Sequence, residues 1–165
     1  ACHLAARHTD RVDHLVAASC AAHLTPGHRR ILRVFELLFT RLAPAEAAEV
    51  LMAFAFGGAF ADRFPGYVNQ AANLWTLDPE DLPGALQQIA CLGAGWDLRP
   101  VVARIACPSL VVAGELDPIV PAALTRALAA AIPEARFREV PAAAHSVLAE
   151  GGASLLTEIV DFLST

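Results

Sequence analysis

The stretch VVAGELDPIVP, residues 111–121, decides how this chain is read. A run of apolar residues ends at Gly114, and a turn follows that carries two acids, Glu115 and Asp117, before Pro118. The pattern is that of a buried strand with an acidic turn at its carboxyl end. Downstream, EVPAAAHSVLAE (residues 139–150) places one histidine, His145, five residues past Val140, where a second short strand, ARFREV, ends. An acid and a histidine so placed usually serve a third group, a nucleophile.

Between the two lies PAALTRALAAAI, a helix with Pro121 near its start and Leu124, Leu128 and Ile132 four apart. Beyond the histidine, ASLLTEIVDFL reads as a closing amphipathic helix with Leu155, Leu156, Ile159, Phe162 and Leu163 on one stripe. Strand, helix, strand, helix at this spacing predicts crossover connections and a parallel sheet. Ligands of open parallel sheets bind beyond the carboxyl ends of the strands. Adjacent strands would therefore deliver Asp117 and His145 to one edge of the sheet. A carboxylate there fixes the histidine's tautomer and stabilises its protonated form, leaving the other ring nitrogen to take a proton. Singly, each residue has a plainer reading. Aspartate before proline is common in turns for backbone reasons, Glu115 offers a second acid nearby, and a lone loop histidine is more often solvated. The order and spacing give the pair its weight.

Upstream the chain divides in three. Residues 1–23 read as the end of a helix (ACHLAARH), a break (TDR) and a mostly apolar strand (VDHLVAAS) of the kind a parallel sheet covers on both faces. Residues 24–95 are different. Ile31, Phe35, Leu38 and Leu42 recur at helical spacing, and Pro44 suits the first turn of a second helix. Asp78 and Pro79 suggest the N-cap and first position of a third. No convincing strand appears, so the stretch is expected to be a helical insertion. It holds most of the aromatics: Phe54, Phe56, Phe60, Phe64, Tyr67 and Trp75. Residues 96–165 return to alternating elements.

Composition excludes several classes. A chain of 165 residues that is 56% apolar and 18% charged should bury a large core. A net charge of −5, with no cluster of lysine and arginine, argues against a nucleic-acid partner. The longest apolar run, Val50 to Ala61, is too short to span a bilayer and suggests a buried helix, so no membrane association is expected. Cys2, Cys20, Cys91 and Cys107 form no C-x-x-C pair and sit among apolar residues, which predicts reduced, structural thiols in a cytoplasmic protein. His3, His8, His14, His23 and His28 lack the spacing and acidic partner of a zinc site and read as surface histidines. FGGAFADRFPG contains glycines but no phosphate-binding pattern, and no cofactor is expected.

At this point the chain resembles the α/β-hydrolase superfamily. LAARHTDRVDHLVAAS is similar to the helix and strand that follow the nucleophile elbow. WDLRPVVARIACPSLVVAGELDPIVP is similar to the lead-in, strand and acid turn, and IPEARFREVPAAAHSVLAE to the final strand and histidine loop. The resemblance implies the C-terminal part of the family's parallel sheet, three strands, with residues 24–95 as a helical cap. It makes Asp117 the triad acid and His145 the triad base. Thr9 stands where a proline is usual, and Ala142, Ala143 and Ala144 replace glycines that commonly precede the histidine. Neither change removes a reactive group. None of Ser19, Ser109, Ser146, Ser154 and Ser164 is framed by glycines as in the elbow G-x-S-x-G, so the resemblance places the nucleophile upstream of Ala1. The expectation is a C-terminal fragment of a cofactor-independent hydrolase acting on an ester, thioester, lactone or similar bond. Its partners would be a small molecule with an apolar portion and the missing N-terminal half of the same hydrolase. Two alternatives stay open. One is an aspartate-nucleophile haloalkane dehalogenase or epoxide hydrolase, and the other a non-catalytic, hydrolase-like protein whose cap closes over a ligand.

Overall fold

The computed structural model describes all 165 residues. Three parallel strands form one sheet in the order β1 (Leu15–Ala18), β2 (Ser109–Gly114), β3 (Arg136–Val140). Leu15 pairs with Ser109 and Gly114 with Val140, so β2 is the central strand. All six of its residues are buried, as the unbroken apolar run required. Alternation along β2 divides the core. Val111 faces Leu15, Ala17, Val102, Ile105 and Leu128 on one side of the sheet. Leu110 and Val112 face Val140, Val147, Leu155 and Phe162 on the other. Val111 and Val112 are completely enclosed, a burial that contributes about 1.5–3 kcal/mol for each.

Helices cover both faces. α1 (Cys2–Arg7) precedes β1, and α7 (Arg99–Val102) leads into β2. α8 (Ala122–Ala131) joins β2 to β3, and α9 (Val147–Glu150) and α10 (Gly152–Leu163) follow β3. The stripe read for α10 is narrower than expected. Leu155 and Phe162 are buried and Ile159 partly so, while Leu156 and Leu163 stand exposed beside Val160.

Between β1 and α7 the chain makes α2 (Pro26–Arg41), α3 (Pro44–Ala55), α4 (Gly58–Arg63), α5 (Pro65–Trp75) and α6 (Leu82–Gly93), with no strand. It leaves and rejoins the sheet through a narrow neck. His23 and Asp97 form an antiparallel bridge, Leu98 N–H donates to Ala22 C=O at 2.6 Å, and Leu24 N–H to Trp96 C=O at 3.4 Å.

Three expectations need correction here. Asp78 and Pro79 do not start α6. They lie in a turn closed by Asp81 N–H to Asp78 C=O at 2.9 Å, and the helix begins at Leu82. A helix running from Pro79 would need the missing N–H of Pro83 for the carbonyl four residues back. Starting at Leu82 puts Pro83 in the first turn, where no donor is required. Val50 to Ala61 is not one buried helix either. The chain is extended at Phe56 and Gly57, between α3 and α4, and Val50 is exposed. Of the four free thiols, Cys2 and Cys107 are buried, Cys20 is partly buried and Cys91 is exposed.

Gly114 ends β2 against the histidine loop. A Cβ there would collide with the carbonyl of Ala144 and lie 2.6 Å from that of Ala143. Gly114→Ala is therefore expected to destabilise the fold by roughly 3 kcal/mol, because only backbone could give way. Urea unfolding of the two proteins side by side checks this.

Candidate active site

Asp117 and His145 meet beyond the carboxyl ends of β2 and β3. The register sets them there, since Gly114 and Val140 are paired and each is followed by a short turn. The two turns are zipped together. Glu115 N–H donates to Val140 C=O at 3.1 Å, and Leu116 N–H to Ala143 C=O at 2.8 Å. Glu115, the rival acid, instead accepts from Ala142 N–H at 2.8 Å and so holds the histidine loop from outside.

The side chain of Asp117 is fully buried. Its Oδ1 accepts from Ile119 N–H and Val120 N–H, both at 2.8 Å, which fixes the carboxylate with its other oxygen turned toward His145. His145 Nδ1–H donates to that Oδ2 at 2.9 Å. A carboxylate can only accept, so this contact puts the ring proton on Nδ1 and leaves the lone pair on Nε2. Three-tenths of the His145 side chain remains exposed. The pair is thus a buried, preset acid orienting an accessible base.

Sequence reasoning missed what steadies the base. Glu150 Oε1 accepts from Ala144 N–H at 2.8 Å, and its Oε2 accepts from Gly57 N–H at 2.9 Å. One carboxylate thereby ties the residue before His145 to the junction of α3 and α4. Burial pushes Glu150 above the ordinary carboxylate range, against the pull of those two donors. Ser146 N–H donates to Ala55 C=O at 2.7 Å and closes a second tie between the same segments. Gly57 is needed for this approach, because a Cβ there would lie 2.8 Å from Ala142 C=O. Ser19, at the end of β1, has a left-handed backbone (φ 49°) and donates its hydroxyl to His145 C=O at 2.8 Å. Of these, only Gly57 gave a signal in the sequence, as a glycine inside an apolar helical pattern.

Two cavities meet at Ser19 and His145. One, of about 490 Å³, is walled by Phe56, Tyr67, Leu74, Trp75 and Leu148. The other, of about 670 Å³, lies under α2 and α6 and is walled chiefly by Leu24, Ile31, Phe35, Leu92 and Trp96. Of the aromatics of the helical segment, Phe56, Tyr67 and Trp75 line one or both. Phe54 packs edge-on against Phe35, with ring centres 5.6 Å apart, and Phe60 stacks on Phe56 at 5.5 Å. His28, expected at the surface, is buried in the wall of the larger cavity. It occupies the third helical position of α2, where its ring reaches back to the N-cap residue Thr25.

Two substitutions probe these supports. In Glu150→Gln one of the two N–H donors faces an amide N–H₂ instead of an oxygen, which should cost about 1–3 kcal/mol in urea unfolding. Ala142 has a left-handed backbone, φ 58°, where glycine is free of strain. Ala142→Gly should stabilise the protein by roughly 0.5–1 kcal/mol, the relief outweighing the extra entropy glycine gives the unfolded chain. A fall in stability on this change would show that the strain is not there.

Comparison with known proteins supplies the family. A family model described as the alpha/beta hydrolase fold matches residues 1–152. Over 71 residues, 43% of this chain, the sequence is 42% identical to a pimeloyl-[acyl-carrier protein] methyl ester esterase of Xanthomonas axonopodis pv. citri (strain 306), covering 28% of that protein. Among solved structures, the enol-lactonase from Burkholderia xenovorans LB400 matches 99% of the chain with a TM-score of 0.86 and 26% identity. A hydrolase from Pseudomonas aeruginosa PA01 matches 99% with a TM-score of 0.82 and 25% identity. The chain covers 61% and 60% of those two structures, so it spans less than two thirds of each of these relatives. The match over residues 1–152 and the parallel sheet place the chain in the alpha/beta hydrolase fold family.

Proposed function

We propose that this chain forms the acid-and-base part of a hydrolase that cleaves an ester or lactone bond through a nucleophile-His-Asp triad. The observation that carries the reading is the 2.9 Å contact from His145 Nδ1 to the buried Asp117 carboxylate. The nucleophile would come from residues preceding Ala1, on a strand beside the unpaired edge of β1. His145 Nε2 takes the proton of the nucleophile as it attacks the carbonyl carbon, and Asp117 stabilises the imidazolium that results. The same proton then passes to the leaving oxygen. A water, deprotonated by the same nitrogen, then attacks the acyl carbon, and that proton returns to the nucleophile as its bond to the acyl group breaks. The oxyanion is held by donors outside this chain. No cofactor is needed for any of these steps.

The helical segment, residues 24–95, acts as the cap. It roofs the cavities that flank His145, so the two sides of the scissile bond have separate, largely apolar spaces. That favours a small substrate with an apolar portion. The names of an esterase and an enol-lactonase among the relatives support an oxygen ester as the bond.

The test is kinetic, on the full-length protein with 4-nitrophenyl esters. His145→Ala and Asp117→Asn should each lower kcat by about 10³–10⁴-fold, the latter by turning the ring to the wrong tautomer. Turnover that survives both substitutions would sink the triad assignment.

A further inference from the structure

Two helices of the cap are short of partners. α2 buries only His28 and α6 buries no residue at all, although both carry apolar stripes. Those stripes line the larger cavity, Ile31, Phe35 and Phe39 from α2 and Ala85, Ile89 and Leu92 from α6. The helices run antiparallel. The guanidinium of Arg29, in the first turn of α2, donates to Gly93 C=O at the end of α6 at 3.3 Å. At their other ends Phe39 and Leu82 line one small space. The larger cavity thus extends along the pair from Ser19 and His145 outward to Phe39, which lies about 16 Å beyond His28 along α2. Native interiors are packed as densely as organic crystals, so apolar stripes facing about 670 Å³ of space lack the surface that would complete them.

The lining says what completes them. No aspartate, glutamate, lysine or arginine faces the cavity, and every α2 residue that lines it beyond His28 is apolar. A charged group there would leave water without a counter-ion, whereas each methylene gains by leaving it. The far end is closed. Phe39 and Leu77 line both this cavity and the small space of about 40 Å³ beyond, which Leu42, Pro44 and Leu82 also wall, so they stand between the two. Building on the hydrolase reading, we infer that the larger cavity binds an uncharged, unbranched apolar chain of the substrate, laid between α2 and α6 with the scissile ester at His145, and that Phe39 sets the longest chain accepted. Phe39 is then a binding residue for the tip of that chain and takes no part in the proton transfers at His145.

The experiment measures kcat/KM of the full-length protein on two series, 4-nitrophenyl alkanoates from acetate to palmitate and n-alkyl acetates from ethyl to hexadecyl. One series should gain about fourfold with each added methylene until the chain spans the cavity, and then stop gaining. The series that rises identifies whether the acyl or the alcohol side fills the cavity. Two variants should move the stop in opposite directions. Phe39→Ala opens the end wall toward the small space, so a chain two carbons past the parent's stop should gain about tenfold over the chain at the stop. Ala85→Phe fills the far end from the facing helix and should bring the stop to shorter chains. Opposite shifts cannot come from a general loss of structure. No gain with chain length in either series, a stop left in place by a variant whose circular dichroism is that of the parent, or shifts in the same direction would each overturn the inference. Failure of the hydrolase reading itself is recognised separately, as absence of turnover on every ester, the acetates included. In that case the dissociation constants of linear 1-alkanols, hexanol to hexadecanol, for the same three proteins decide the matter by the same stop and the same two shifts.

Discussion

The site rests on the side-by-side end of two parallel strands. Once Gly114 and Val140 are paired, the turns that follow them have nowhere to go but alongside each other, and their amides and carbonyls interlock. Everything the pair Asp117 and His145 can do follows from that closeness. The missing side chain of Gly114 allows it, because the carbonyls of the histidine loop occupy the space a Cβ would need. A residue of the sheet, not of the site, therefore sets the distance between acid and base.

The base is held from three directions. Asp117 holds the ring, Ser19 the carbonyl of the same residue, and Glu150 the amide of the residue before it. Ser19 comes from the end of β1 and Asp117 from the turn after β2, and Glu150 also binds the helical segment through Gly57. Apolar packing holds the sheet, but hydrogen bonds aim the histidine. Such bonds gain only about 1 kcal/mol each in net stability, yet they are costly to break when buried, which makes them better at fixing geometry than at adding strength.

Much of this was legible in the residues. The three strands, the helical stretch between the first two and the acid and histidine at strand ends follow from apolar periodicity and punctuation by glycine and proline, which act locally. Where those rules compete, local reading failed. Asp78-Pro79 and Asp81-Leu82-Pro83 are both acceptable helix starts, and a backbone donor four residues away decides between them. The role of Glu150 was invisible because its partners, Gly57 and Ala144, are brought to it only by the folded chain. His28 could have been found. A threonine three residues before it, with a proline between, is the frame of a capping box, and a histidine inside that frame points back toward the helix start.

The neck at His23 and Asp97 has a consequence for how such a protein can change. Both ends of the helical segment are already brought together by pairing next to the sheet, so the sheet does not register how long the excursion is or what it contains. Loop entropy grows only slowly with length, and residues could be added to or removed from the excursion at modest cost. One short passage is exempt: Ala55 to Gly57, whose backbone is bonded to the histidine loop. The rest of the segment can be rewritten, and the shape of both cavities with it, while the acid and the base stay where they are. The helical walls of the cavities and the Asp117–His145 pair are thus carried by separate stretches of one chain, open to independent revision.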